Sequence, residues 1–187
     1  MFLLRKIYCR TFQTVFRIAI PFLPYRNPKI IPAVSGITDV CRKYGVESVM
    51  IVTDAGIRAL GLTDFLEKTL KEEGISYCVY DRTVANPTIQ NVEEARKMYL
   101  EHEAQGIIAF GGGSSMDCAK AAGARIVKPR QSIRQMRGLL KVHRRLPLLI
   151  AVPTTAGTGS ETTLAAVITD SEKHYKYPIN DFSLIPR

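Results

Sequence analysis

No C-x-x-C pair occurs in this chain, and its four cysteines, Cys9, Cys41, Cys78 and Cys118, are scattered. That pattern supplies no disulfide framework and reads as free thiols of a reducing compartment, so a cytoplasmic location is expected. The three histidines, His102, His143 and His174, lie far apart and lack the spacing of a metal-ligand set. No apolar run reaches the roughly 20 residues of a membrane-spanning helix. Repeats and low-complexity tracts are missing too. Much of the formal net charge of +9 sits in the first thirty residues and in 128–145, without an aromatic stacking pattern or a nucleic-acid-binding motif. No nucleic-acid partner is therefore expected.

What is present is enough for one globular domain: 187 residues, 46% of them hydrophobic. Residues 1–24 predict an amphipathic helix. Tyr8, Phe12, Val15 and Ala19 fall on one face and Lys6, Arg10, Gln13 and Arg17 on the other, with Pro21 and Pro24 ending it. Four readings stand for it. It is a terminal helix packed on the body, a secretory signal interrupted by Arg10 and Arg17, an arginine-rich and acid-free presequence short of serine, or a helix lying on a membrane surface.

From Arg26 the pattern alternates between strand and helix. Helices are expected over 37–44, over 61–73 with Leu62, Phe65, Leu66 and Leu70 on one side, and from a Thr88 cap to about 103 with Val92, Ala95 and Tyr99 inward. Strands are expected over 49–54, 75–80, 107–110 and 146–152. This alternation predicts an α/β fold with a mostly parallel sheet flanked by helices. Residues 128–145 read as a basic, solvated surface connector. Residues 164–169 and 175–179 read as a hairpin that leaves the parallel sheet.

The stretch from Gly106 to Lys120, GIIAFGGGSSMDCAK, organises the rest. A doubly buried strand breaks into Gly111, Gly112 and Gly113. A helix then restarts with Ser114 and Asp117 in the S-x-x-D spacing of an N-cap. Unpaired N–H groups and the positive end of the helix dipole favour an anion there, and glycine leaves room for a diphosphate. Taken alone, the turn is equally a tight strand–helix connection. It is neither G-x-G-x-x-G nor a P-loop. A second block, PTTAGTGSE over 153–161, follows the next buried strand. Asp54, at the tip of the first strand, can accept hydrogen bonds from ribose hydroxyls, or can cap the turn that follows.

Together, GGGSSMDCAKA and PTTAGTGSE resemble the iron-containing (group III) alcohol dehydrogenases, from about Arg26 to Arg187. The resemblance implies the N-terminal, dehydroquinate synthase-like nucleotide-binding domain, over 26–187, of a two-domain enzyme. The parent activity would be NAD-dependent, metal-assisted oxidation of a small alcohol or reduction of an aldehyde or ketone, in a homo-oligomer. It assigns Asp54 to discrimination of NAD from NADP, Asn86 of the Asn86-Pro87-Thr88 loop to the adenosine end, and Gly112, Gly113 and Ser114 to the pyrophosphate. Ala85 stands where the family's loop has a first proline. Asp117 would cap the helix near the nicotinamide ribose. Thr154, Thr155 and Thr158 would reach the diphosphate and ribose, and Lys176 the cofactor hydroxyls. Thr/Gly self-capping, a solvated hairpin lysine and a capping Glu161 are the plain alternatives. The family's Fe²⁺ or Zn²⁺, held by one Asp and three His of a second, helical domain, is expected only with that domain, and the chain ends before those residues. The chain would then bind NAD and not turn over alone. The alternatives are the glycerol dehydrogenase or maleylacetate reductase branch, or a non-catalytic nucleotide-binding module.

Overall fold

The computed structural model describes residues 2–19, 22 and 25–187. In chain order its elements are α1 (Phe2–Ala19), α2 (Ile37–Lys43), β1 (Ser48–Val52), α3 (Ala55–Ala59), α4 (Asp64–Glu72), β2 (Ser76–Tyr80), α5 (Ile89–Glu101), β3 (Gly106–Gly111), α6 (Gly113–Val127), β4 (Gly138–Leu139), β5 (Leu148–Pro153), β6 (Ala165–Asp170) and β7 (Tyr175–Asn180). Short 3-10 turns lie at Val34–Gly36, Ile133–Met136 and Phe182–Leu184. Pro21 and Pro24, expected to end α1, lie outside the described residues.

The four apolar strands form one parallel sheet in the order β2-β1-β3-β5. Every residue of β3 is buried, as a strand covered on both faces requires. Met50, Val52, Cys78, Tyr80 and Ile107 point to one side and pack with Val92, Ala95 and Tyr99 of α5 and the alanines of α6. Val49, Ile51, Ile108, Phe110 and Ile150 point to the other and pack with Ile37 and Cys41 of α2 and Leu66 and Leu70 of α4. The result is helix, sheet, helix, with period-two alternation sorting the core into two halves.

A second sheet, in the order β4-β7-β6, holds the expected hairpin, with β6 and β7 antiparallel. It packs on the far side of α6, so that helix lies between two sheets. Ser115, Met116 and every residue from Cys118 to Arg125 are buried. This accounts for its composition. A helix enclosed on most sides needs small side chains, and a Cβ at Gly123 would stand 2.8 Å from Leu146 Cδ2.

Two expectations change. Leu62 and Phe65 are exposed, at 47% and 60%, whereas Leu66 and Leu70 are fully buried. The helix begins only at Asp64, so Leu62 falls in the preceding turn and α4 buries a narrower stripe. The basic connector is also not merely solvated. Ile133, Met136 and Val142 enter the core, and Arg134 forms a two-pronged bond to Asp170, with Nε–Oδ2 at 2.6 Å and Nη2–Oδ1 at 3.0 Å.

Candidate nucleotide-binding site

The strand order contains one reversal. From β1 the chain crosses outward to β2, then returns past β1 to β3. The crevice beyond the carboxyl ends of β1 and β3 is the switch point at which open α/β sheets take ligands. Asp54 follows β1 there, and Gly111 to Gly113 follow β3. The two meet: a Cβ placed on Gly111 would stand 3.6 Å from Asp54 Oδ2. Gly111 has φ +146°, and the same Cβ would lie 2.6 Å from Ser115 Oγ, so only glycine fits.

The threonine loop after β5 folds onto this turn. Thr154 N–H donates to the Gly111 carbonyl at 3.0 Å, which extends the β3–β5 ladder by one rung. Thr155 Oγ1 lies 3.2 Å from the Cβ position of Gly112, and the Thr158 side chain lies 3.6 Å from that of Gly113. The loop turns through Gly157 and Gly159, with φ +91° and +63° and nothing within 4 Å of either Cβ position. The two motifs that carried the sequence reading therefore converge on one spot.

Of the remaining candidates, Asn86 borders it. Asn86, at φ 59°, donates its N–H to Ser114 Oγ at 3.3 Å. Thr169 of β6 donates to the Pro87 carbonyl at 2.8 Å, which fixes the Asn86-Pro87-Thr88 loop between α6 and the second sheet. Lys176 is exposed and pairs in register with Thr169. Asp54 also serves the plainer role, since its Oδ1 caps α3 by accepting from Ile57 N–H at 3.0 Å.

The expected Ser114–Asp117 cap does not form. The N-cap of α6 is Gly112, which has no side chain to offer. Because glycine fills that position, Asp117 lies within the helix and faces the loop instead. Its Oδ1 accepts from Ser160 Oγ at 2.9 Å and its Oδ2 from Val167 N–H at 3.0 Å. Burial raises its carboxyl above the ordinary range, against those hydrogen bonds and the nearby Lys120.

Lys120, which sequence reasoning passed over, is 1% exposed. Its ammonium donates to the carbonyls of Ser160 (2.6 Å), Thr163 (2.8 Å) and Ala165 (3.0 Å) and to Thr163 Oγ1 at 3.2 Å. Burial lowers its pKa to about 8. A signal for it existed. An acid and a lysine three residues apart, in a helix whose middle is otherwise small (Cys118, Ala119, Ala121, Ala122, Gly123, Ala124), form a charged pair with no solvent face to occupy.

The turn suits a diphosphate on three counts. No side chain caps the first N–H groups of α6. Gly112 and Gly113 present bare backbone. The buried Ser115 Oγ has no partner among the described residues. The described residues do not suit the family's metal: no group of three or more His, Cys, Asp or Glu gathers among them. A cavity of about 530 Å³ lies elsewhere, along the outer edge of β5, between Ile31, Val34 and Ile150 on one side and Glu161 and Thr162 on the other.

Comparison with known proteins agrees with this layout. The family model of the iron-containing alcohol dehydrogenases matches residues 32–187. A choline dehydrogenase of Bacillus subtilis is 39% identical over 71% of this chain and 34% of its own length. An NAD-dependent methanol dehydrogenase of Bacillus methanolicus is 32% identical over 82% of the chain and 40% of its own. The crystal structure of a sulfoacetaldehyde reductase from Bifidobacterium kashiwanohense in complex with NAD⁺ superposes with a TM-score of 0.74, at 27% identity, over 87% of this chain and 44% of that one. The chain thus spans less than half the length of the relatives it matches. On the family match, which covers both turns and the whole parallel sheet, the chain belongs to the iron-containing alcohol dehydrogenases.

Proposed function

We propose that this chain is the NAD-binding part of a cytoplasmic oxidoreductase that interconverts a small alcohol and its aldehyde or ketone. The convergence of the glycine turn and the threonine loop at the switch point of the sheet carries the reading. The unpaired N–H groups at the start of α6 would hold the diphosphate, at the positive end of the helix dipole. Asp54 would accept the adenosine ribose hydroxyls with Oδ2, its Oδ1 being engaged as a cap. A 2′-phosphate on that ribose would meet its negative charge, which favours NAD over NADP. Asn86 would border the adenosine, and Lys176 would reach cofactor hydroxyls from the second sheet.

Thr155 and Thr158 rest against the glycines themselves, so a diphosphate enters only as the loop swings outward on Gly157 and Gly159. The threonine hydroxyls then close over it. Asp117 and Lys120 hold the far end of the loop and limit that movement. When bound, NAD supplies the hydride acceptor. Polarising the alcohol falls to a metal whose donors the described residues do not provide, so this chain binds cofactor without turnover. The complete enzyme, on this reading, works as a homo-oligomer.

Isothermal titration tests the proposal. NAD⁺ should saturate the chain and NADP⁺ should bind more weakly. Equal affinity for the two would remove the role of Asp54, and no heat with either at millimolar concentration would end the proposal. Saturable NAD⁺ binding without alcohol oxidation, or NADH binding without reduction of an aldehyde or ketone, in a chain extended to the length of its relatives would favour a nucleotide-binding module instead.

A further inference from the structure

The first 38 residues hold Arg5, Lys6, Arg10, Arg17, Arg26 and Lys29 and no acid; the first carboxylate of the chain is Asp39. Four of those bases lie on α1, and three of them, Lys6, Arg10 and Arg17, share one face with Gln13. The opposite face carries Tyr8, Phe12 and Val15, with Ile18 and the fourth base, Arg5, at its edges and Ile7 between the two faces. Every described side chain of α1 is exposed: Ile7 at 54%, Tyr8 at 71%, Val15 at 60% and Ile18 at 66%. The expectation that this helix packs on the body therefore gives way. A helix of 18 residues with this much apolar surface in water calls for a cover.

We propose that α1 is a docking helix for an anionic lipid surface, on which it lies in the plane of the interface. Charge selects this occupant. An apolar strip flanked by bases and free of acid matches a surface that offers negative headgroups above hydrocarbon. A second copy of the chain would bring the same positive charge against it. Insertion across the bilayer does not apply, because no helix among the described residues is long and apolar enough to span one. The apolar strip enters the headgroup boundary, while Lys6, Arg10 and Arg17 run their stems along it and keep their charges among the phosphates. The nucleotide site lies on elements separate from α1, so this inference stands apart from the reading of the nucleotide site.

Co-sedimentation of the full chain with vesicles tests it. The chain should pellet with mixed phosphatidylcholine–phosphatidylglycerol vesicles and stay in solution with phosphatidylcholine alone. Raising salt from about 0.1 M to about 1 M shortens the screening length from about 10 Å to 3 Å and should release it. Each basic residue near such a surface contributes about a fivefold factor, so the triple change Lys6→Glu, Arg10→Glu and Arg17→Glu should weaken partitioning at least about 100-fold. The pair Val15→Gln and Ile18→Gln should weaken it with all charges kept. Unchanged thermal unfolding of these variants controls for the fold. Undiminished binding by the triple variant would assign attraction to 128–145 and overturn the proposal. So would equal binding to both vesicle types, stronger binding to duplex DNA, or dimers that bury α1 and ignore vesicles.

Discussion

The ammonium of Lys120 lies 2.6 Å from the carbonyl oxygen of Ser160, forty residues further along the chain. Through this bond and its neighbours to Thr163 and Ala165, the central helix grips the threonine loop beyond its two glycines. Lys120→Met would take the ammonium from three carbonyls, the buried one of Ser160, which keeps a long 3.5 Å bond from Thr163 Oγ1, and the partly buried ones of Thr163 and Ala165, each loss worth about 1–3 kcal/mol. The variant should lose at least about 3 kcal/mol in urea unfolding, and amides 154–165 should exchange faster than those of β1 and β3. Equal exchange in both regions would mean that the grip is not local to the loop.

The same lysine gives the protein a pH signature. Burial brings its pKa from 10.5 to about 8. Between those values the unfolded chain holds a proton that the folded chain does not, so this group's contribution to stability rises as pH climbs from about 8 to 10.5 and is lost as pH falls back. Unfolding free energies measured across that window should rise more steeply for the native chain than for Lys120→Met. Parallel curves would mean that the lysine keeps its ordinary pKa.

Two glycines of the same turn should respond in opposite ways. Gly111→Ala places a methyl 2.6 Å from Ser115 Oγ at φ +146° and should cost about 1–3 kcal/mol. Gly113→Ala meets only an ordinary 3.6 Å contact with Thr158, at the first residue of α6, and should keep the melting temperature. It should nonetheless weaken NAD⁺ at least about tenfold if a diphosphate approaches that backbone. Calorimetry with and without NAD⁺ reads both effects, and a tightly binding Gly113→Ala chain would remove the cradle.

Asp54 has two duties that substitution can separate. Asn caps a helix about as well as Asp, so Asp54→Asn should keep stability while narrowing the preference for NAD⁺ over NADP⁺. Asp54→Ala should narrow it too and lose about 1 kcal/mol with the cap. Competitive titrations of both nucleotides against each variant check this.

The parallel sheet was legible because its strands, buried on both faces, are continuous apolar runs with turn residues between them. The Thr88 cap was legible because threonine favours the position just ahead of a helically periodic run, and the structure adds that Asn91 completes a capping box. The site was legible as two motifs, though not in its wiring. Ser114 and Asp117 have cap spacing, but a cap needs the right backbone position, and Gly112 holds it. The exposure of Leu62 and Phe65 was hidden because periodicity does not reveal where the first helical turn begins. The Arg134–Asp170 pair joins a connector to a hairpin, and no local pattern encodes a contact across 36 residues.

β5 is an outer strand of its sheet, and the apolar hollow beside it shares Pro153, Glu161 and Thr162 with the segment that carries the threonines. Any polypeptide that nests in that hollow leans on the two ends of the loop, at Pro153 and at Glu161 and Thr162. If the loop closes on a nucleotide as proposed, filling the hollow and tightening that clasp would be a single mechanical act. A lobe that docks more firmly when the nucleotide is in place would report that coupling directly.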